Sequence, residues 1–157
     1  MAAGKTEVAG ILSRELGWPA FDVDALVEEE AGASIAELFA RRGEGWFRER
    51  EAKRTSELLS RRGVIVAPGG GWAAREGRLV VVPDHVLSVW LRVSAEEAVA
   101  RAHRTPGERP LLGSPASMSA LLKKREPYYR QAELHLDTQA TSPTGVARRI
   151  IDHLARH

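Results

Sequence analysis

A chain of 157 residues, 43% hydrophobic and 28% charged, is long enough to bury one core and has the composition of a globular domain. Its formal net charge of +2 does not argue for a nucleic-acid partner, and no apolar run approaches the ~18 residues of a membrane span. The absence of cysteine excludes disulfides and thiolate metal sites and, with no signal peptide read, points to a reducing cytoplasm.

The chain opens on Met1, Ala2, Ala3, Gly4, Lys5 and Thr6. Gly4-Lys5-Thr6 reads as the back half of a phosphate-binding loop, G-x-x-x-x-G-K-[ST]. In such a loop, backbone N–H groups at a helix N-terminus point at phosphate oxygens. The lysine reaches the β/γ-phosphates and the hydroxyl binds Mg²⁺. Three common residues recur by chance, so the signal is weak alone. Residues 6–16 follow with Val8, Ile11, Leu12 and Leu16 at helical spacing, and Gly17 suits the end of that helix.

Residues 18–21 read as a short strand running into Asp22, Val23 and Asp24, which puts two carboxylates on one face of an extended segment. The competing reading makes Asp24 the N-cap of a helix over 25–31. Ser34 and Glu37 form a capping box for the next helix, with Ile35, Leu38 and Phe39 buried and Gly43 as its end. A charged helix over 44–60 is expected to carry i, i+4 pairs such as Glu49 with Lys53. Arg48 follows a core Phe47, so it either projects toward a cleft or joins the solvated face.

Residues 64–67 form a continuous apolar run, as in a strand covered on both faces. It ends in Pro68, Gly69, Gly70 and Gly71. Three glycines there let a ligand approach the backbone closely; an ordinary flexible loop is the alternative. The apolar run 79–82 is ambiguous between strand and helix end. A strand is predicted over 86–93 and a capped helix from Ser94 to about Arg104. Residues 105–115 lack periodicity and carry arginines, as in a lid over an anion or a plain surface loop. A helix over 116–133 is expected to break at Pro127, and 134–137 form a strand. Ser142-Pro143 caps a last helix that buries Val146, Ile150, Ile151 and Leu154. Strands alternating with helices give an α/β parallel sheet.

Taken together the motifs resemble shikimate kinases. The marks are GKT at 4–6, FDVD at 21–24, GASIAELFARRGEGWFRERE at 32–51, PGGG at 68–71, RPLL at 109–112 and KREPYYR at 124–130. They stand in the family's order and nearly its spacing. The resemblance implies one domain over 1–157 with the P-loop, nucleoside-monophosphate-kinase-like fold. That fold is three-layered, with a five-stranded parallel sheet, helices on both faces and a lid at about 104–116. It implies transfer of the γ-phosphoryl of ATP to the 3-hydroxyl of shikimate, with Mg²⁺, by a monomer.

Carried over by position, Gly4, Lys5, Thr6, Glu7 and Val8 would border the phosphates of ATP, with Lys5 on the β/γ-phosphates. Thr6 and Asp22 would serve the metal. Asp24 would bind the reacting hydroxyl and act as its base. Arg48 and Arg130 would clamp the shikimate carboxylate, with Gly69, Gly70 and Gly71 against the substrate. Arg109 would descend from the lid onto the phosphates, and Arg104, Ser142 and Pro143 would border the adenine. The chemistry agrees: phosphoryl transfer needs positioning and charge neutralisation, and a guanidinium fork fits a carboxylate better than an ammonium.

The departures from the family sit at the start and at the lid. The family's first strand, in the middle of its sheet, and the first glycine of its loop have no counterpart in this chain. A central strand contributes on the scale of a domain's whole stability, ~5–15 kcal/mol. The expected explanation is a start codon placed too late, and the chain as given is expected to fold poorly and bind nucleotide weakly. The spacing from Arg104 to Arg109 is about one residue short of the family's. Two alternatives remain: a P-loop kinase of another small hydroxy-acid such as gluconate, and a non-catalytic relic of the fold.

Overall fold

The structure, a computed structural model, describes residues 3–104 and 114–156. Gly4, with φ 80°, turns the chain into α1 (Lys5–Leu16), whose Val8, Ala9 and Leu12 are buried along one stripe. Gly17, also left-handed, ends it. β1 (Ala20–Asp22) leads directly into α2 (Val23–Ala31). The cap of α2 is Asp22, not Asp24: the Asp22 carboxylate accepts from the backbone N–H groups of Asp24 and Ala25. Asp24 is thereby left in the first helical turn, its side chain unused by the cap.

α3 (Ile35–Leu59) starts with the expected capping box between Ser34 and Glu37. Gly43, at φ 81° and ψ 160°, kinks it where an end was expected. Its ion pairs join Arg48 to Glu44 and Glu51, and Arg54 to Glu30 and Glu57. The Glu49–Lys53 pair does not form among the described residues. β2 (Ile65–Ala67) follows, and the glycine run is no flexible loop but the start of a short helix, α4 (Gly70–Ala73). Residues 79–82 are turns, with Val80 and Val81 exposed, so the local β pattern found no neighbouring strand.

β3 (Val89–Arg92) is shorter than its apolar run, and α5 (Ala95–Arg104) comes next. α6 (Pro115–Tyr129) passes through Pro127 without breaking. The proline forgoes one backbone bond near the helix end, and α6 stops two residues later. β4 (Leu134–Asp137) and α7 (Pro143–Leu154) complete the chain.

β1 pairs with β2 and β3 with β4, both in parallel; Asp22 lies opposite Ala67 and Arg92 opposite Asp137. The fold is α/β with parallel strands, as the alternation predicted. Among the described residues no ladder joins β2 to β3. A cavity of about 700 Å³ lies between them, lined by apolar residues such as Leu12, Ile65, Val89 and Leu91. The cavity separates the two strand pairs.

Two cores flank this gap. One unites Val8 and Leu12 of α1 with Leu136 and with Val146, Ala147 and Ile150 of α7. The other packs Val23 and Val27 of α2 against Leu38, Phe47 and Leu58 of α3. A third, smaller cluster holds α5 to α6 through Ala98, Val99 and Met118.

Candidate active site

One side of the candidate site is built by the second core. Burying Phe47 at 2% exposure fixes the rotation of α3 and sets Arg48 beside it, with its guanidinium carbon 5.3 Å from the Phe47 ring centre. Arg48 Nη1 donates to Glu51 Oε2 at 2.7 Å, and Nε donates to Glu44 Oε1 at 3.2 Å. Burial opposes the charge on Arg48, but the Glu51 and Glu44 carboxylates outweigh it and hold the guanidinium above its ordinary pKa. Glu51 is 1% exposed. Burial pushes its carboxyl up, against the pull of Arg48. Its second oxygen, Oε1, is buried without a hydrogen-bond partner.

The glycine run forms the wall of this pocket, and the geometry explains two of its members. A Cβ on Gly69 would strike Glu51 Oε1 and come within 2.8 Å of Asp24 Oδ1. A Cβ on Gly71 would lie 2.6 Å from Arg48 Nη1. Asp24, Glu51 and Arg48 therefore converge on a bare backbone, from α2 and from α3. Tyr129 of α6 closes the far side by donating its hydroxyl to the carbonyl of Gly70 at 2.7 Å. Burial pushes that phenol up, with Arg125 opposing.

At the phosphate end, Lys5 is the first residue of α1 and lines the cavity that also reaches Gly69, Gly70 and Tyr129. Thr6 Oγ1 donates to Asp22 Oδ2 at 3.2 Å. A hydroxyl and a carboxylate at that separation are hard oxygen donors of the kind Mg²⁺ takes alongside water and phosphate. Among the described residues no cluster of three acidic or histidine side chains offers another such site. Glu7 is exposed beside the loop, and Val8 points into the core.

Toward β4, the Ser142 hydroxyl accepts from the N–H of Gly145 and Pro143 takes the first helical position, so both are fixed at the head of α7. Arg101 donates to the carbonyl of Thr138 at 2.9 Å and pairs with Glu97, tying α5 to the end of β4. The backbone of Arg104 closes α5. Arg109 and the lid residues 105–113 lie outside the described residues. Arg130 is placed one residue past Tyr129, but its guanidinium is exposed and reaches back to Glu126 at 2.6 Å. The structure thus gathers Asp24 and Arg48 on the glycine run, lines with Lys5 a cavity that reaches Gly69 and Gly70, and does not bring the Arg130 side chain to them.

Sequence reasoning missed Glu51 and gave Tyr129 no role. The signal for Glu51 was its spacing of three from Arg48, which puts an acid on the same helical face as a cation. Tyr129 carried no such signal, because its partner is a backbone carbonyl 59 residues away in sequence.

The shikimate kinase family model matches residues 1–155. The shikimate kinase of Moorella thermoacetica is 38% identical over 98% of this chain and 90% of its own. That of Synechococcus sp. (strain JA-3-3Ab) is 39% identical over 96% and 81%. The solved structure of shikimate kinase from Acinetobacter baumannii in complex with shikimate superposes with a TM-score of 0.89 at 31% identity, covering 99% of this chain and 89% of that one. Deoxyadenosine kinase from M. mycoides shares the fold alone, with a TM-score of 0.65 at 14% identity.

Proposed function

The chain belongs to the shikimate kinase family and is an ATP-dependent phosphotransferase, and we propose that it moves the γ-phosphoryl of ATP to the 3-hydroxyl of shikimate. The observation that carries this is the convergence of Asp24 and the Arg48 guanidinium on the bare backbone of residues 69–71, with Lys5 lining the cavity that reaches Gly69 and Gly70. One cation for a carboxylate and one carboxylate for an alcohol, beside a phosphate-binding lysine, match a hydroxy-acid acceptor.

In this reading Arg48 forks onto the shikimate carboxylate, and Arg130 swings from Glu126 to join it. Asp24 orients the reacting hydroxyl and takes its proton, worth ~10²–10⁴-fold as a general base. The backbone at Gly69, Gly70 and Gly71 contacts the ring, held in place by Tyr129. Gly4, Lys5, Thr6, Glu7 and Val8 border the phosphates, Arg109 closes on them from the lid, and Arg104, Ser142 and Pro143 border the adenine. Thr6 and Asp22 would hold Mg²⁺, which would neutralise phosphate charge. The catalyst is a single-domain cytoplasmic monomer whose lid spans about 104–116, with no nucleic-acid or membrane partner.

The test is ADP release measured with shikimate, with gluconate and with no acceptor. Turnover with shikimate alone supports the reading. Preference for gluconate would move the acceptor, and equal rates in all three would remove the kinase.

A further inference from the structure

The cluster around Arg48 gathers three carboxylates. Arg48 is bonded to Glu51 and Glu44, and Asp24 faces the same glycine wall. The groups facing Glu51 are Arg48 on its own helix, Asp24 from α2, Arg75 just beyond α4 and Tyr129 from α6, behind which stands Arg125. Of these, Arg48 alone is hydrogen-bonded to its carboxylate. Glu51 is buried at 1% exposure, and its Oε1 has no partner. An acceptor carboxylate binding to Arg48 shares the positive charge that now compensates Glu51, which meets the guanidinium through Nη1. A further anion on the same guanidinium makes a buried carboxylate costlier to keep ionised, and gaining a proton is its cheapest response.

We propose that Glu51 is the proton-linked counter-ion of the acceptor site: when a substrate carboxylate takes Arg48, Glu51 accepts one proton from solvent on its unpartnered oxygen. The balance is simple. One anion enters, one proton enters, and the cluster keeps its charge. Glu51 thereby acts as a positioning residue with two states. Ionised, it holds Arg48 ready in the empty site; neutral, it releases the guanidinium and relieves the repulsion on Asp24. The raised carboxyl of Glu51 already leans toward the second state. The inference rests on the proposed acceptor carboxylate at Arg48.

The experiment is calorimetric titration of the protein with shikimate at half-unit steps from pH 6 to 7.5, in PIPES and in imidazole, whose ionisation heats differ widely. The expected result is a heat that depends on the buffer, reporting uptake of a large fraction of a proton per shikimate. The dissociation constant should rise by up to tenfold per pH unit within that range. Glu51→Gln should still bind and lose the buffer dependence, whereas Glu44→Gln, which removes the exposed partner of Arg48, should keep it. Equal heats in both buffers for the unaltered protein would overturn the proposal, as would buffer dependence that survives in Glu51→Gln. A protein that does not bind shikimate at all would overturn the acceptor assignment itself, and the inference with it.

Discussion

Around Phe47 the chain closes on itself, and around Leu12 it does not. The first region sets α2 against α3 with an edge-to-face contact between Phe39 and Phe47 at 5.3 Å, and fully buries Val23, Val27 and Phe47. The second sets α1 against α7 beside the unpaired edges of β2 and β3, and Leu12 looks into the cavity between them. Each region also carries one half of the chemistry. The closed core fixes Asp24, Arg48 and Glu51; the open one carries Lys5 at the head of α1. In the proposed mechanism, acceptor recognition thus rests on close packing, while the phosphate end rests on a helix with an unfilled flank.

The sharpest way to break that comparison is at the reacting hydroxyl. Asp24→Asn keeps the size and most hydrogen bonds of the side chain but cannot take a proton. Turnover should fall by ~10²–10⁴-fold, with shikimate affinity largely kept. Steady-state ADP release with a parallel shikimate titration reads both, and an unchanged kcat would take Asp24 out of the mechanism. Next is Arg48→Ala, which strands Glu51 in the closed core. Removing one partner of a buried pair costs ~3–5 kcal/mol, so the urea midpoint should drop and KM for shikimate should rise steeply, with KM for ATP little altered. A midpoint within error of the unaltered protein would show that the pair is not buried in solution.

The packing contrast has its own test. Phe47→Ala opens a hole in a filled core and should cost ~3–5 kcal/mol. Leu12→Ala enlarges a space that already exists, removes fewer contacts, and should cost ~2 kcal/mol, the low end for a buried leucine. Urea melts of the two variants against the parent decide it. A larger loss at Leu12 would mean that the cavity is closed in solution.

The acceptor side was the more legible of the two. Its signals are local: FDVD, the Phe47–Arg48 step and the glycine run each put a side chain or a gap on a known face. What stayed hidden there depends on three-dimensional contact. Asp22 rather than Asp24 caps α2, because the helix begins at Val23, two residues before an Asp24 cap would start it. The triple glycine became the head of α4, because the pocket wall needs bare Cα atoms at Gly69 and Gly71, not a flexible chain. Pro127 did not break α6, since so near the C-terminal end it forgoes one bond only. At the open side the alternation of strands and helices was enough to predict parallel pairing. The run 79–82, open between strand and helix end in the sequence, is neither, because an apolar pattern without a neighbouring edge to join folds into turns.

The smallest effect is expected where the closed region meets water. Ser34 and Glu37 bond reciprocally at the start of α3: Ser34 N–H donates to Glu37 Oε2 at 2.9 Å, and the Ser34 hydroxyl accepts from Glu37 N–H at 3.3 Å. The Ser34 backbone N–H, followed by its hydroxyl, holds the Glu37 carboxyl below its ordinary pKa. A depressed acid stabilises the fold above its unfolded pKa, and that contribution fades as pH falls through the carboxylate range toward the folded value. Ser34→Ala should cost ~1 kcal/mol at pH 7 and leave both KM values alone, since the cap lies on the far side of the Gly43 kink from Arg48. Glu37→Gln should lose this source of acid sensitivity while the parent keeps it, as melts between pH 7 and pH 3 would read. If either variant shifts KM for shikimate, the first segment of α3 is coupled to Arg48 through the kink, and the closed region is one rigid body from Ser34 to the pocket.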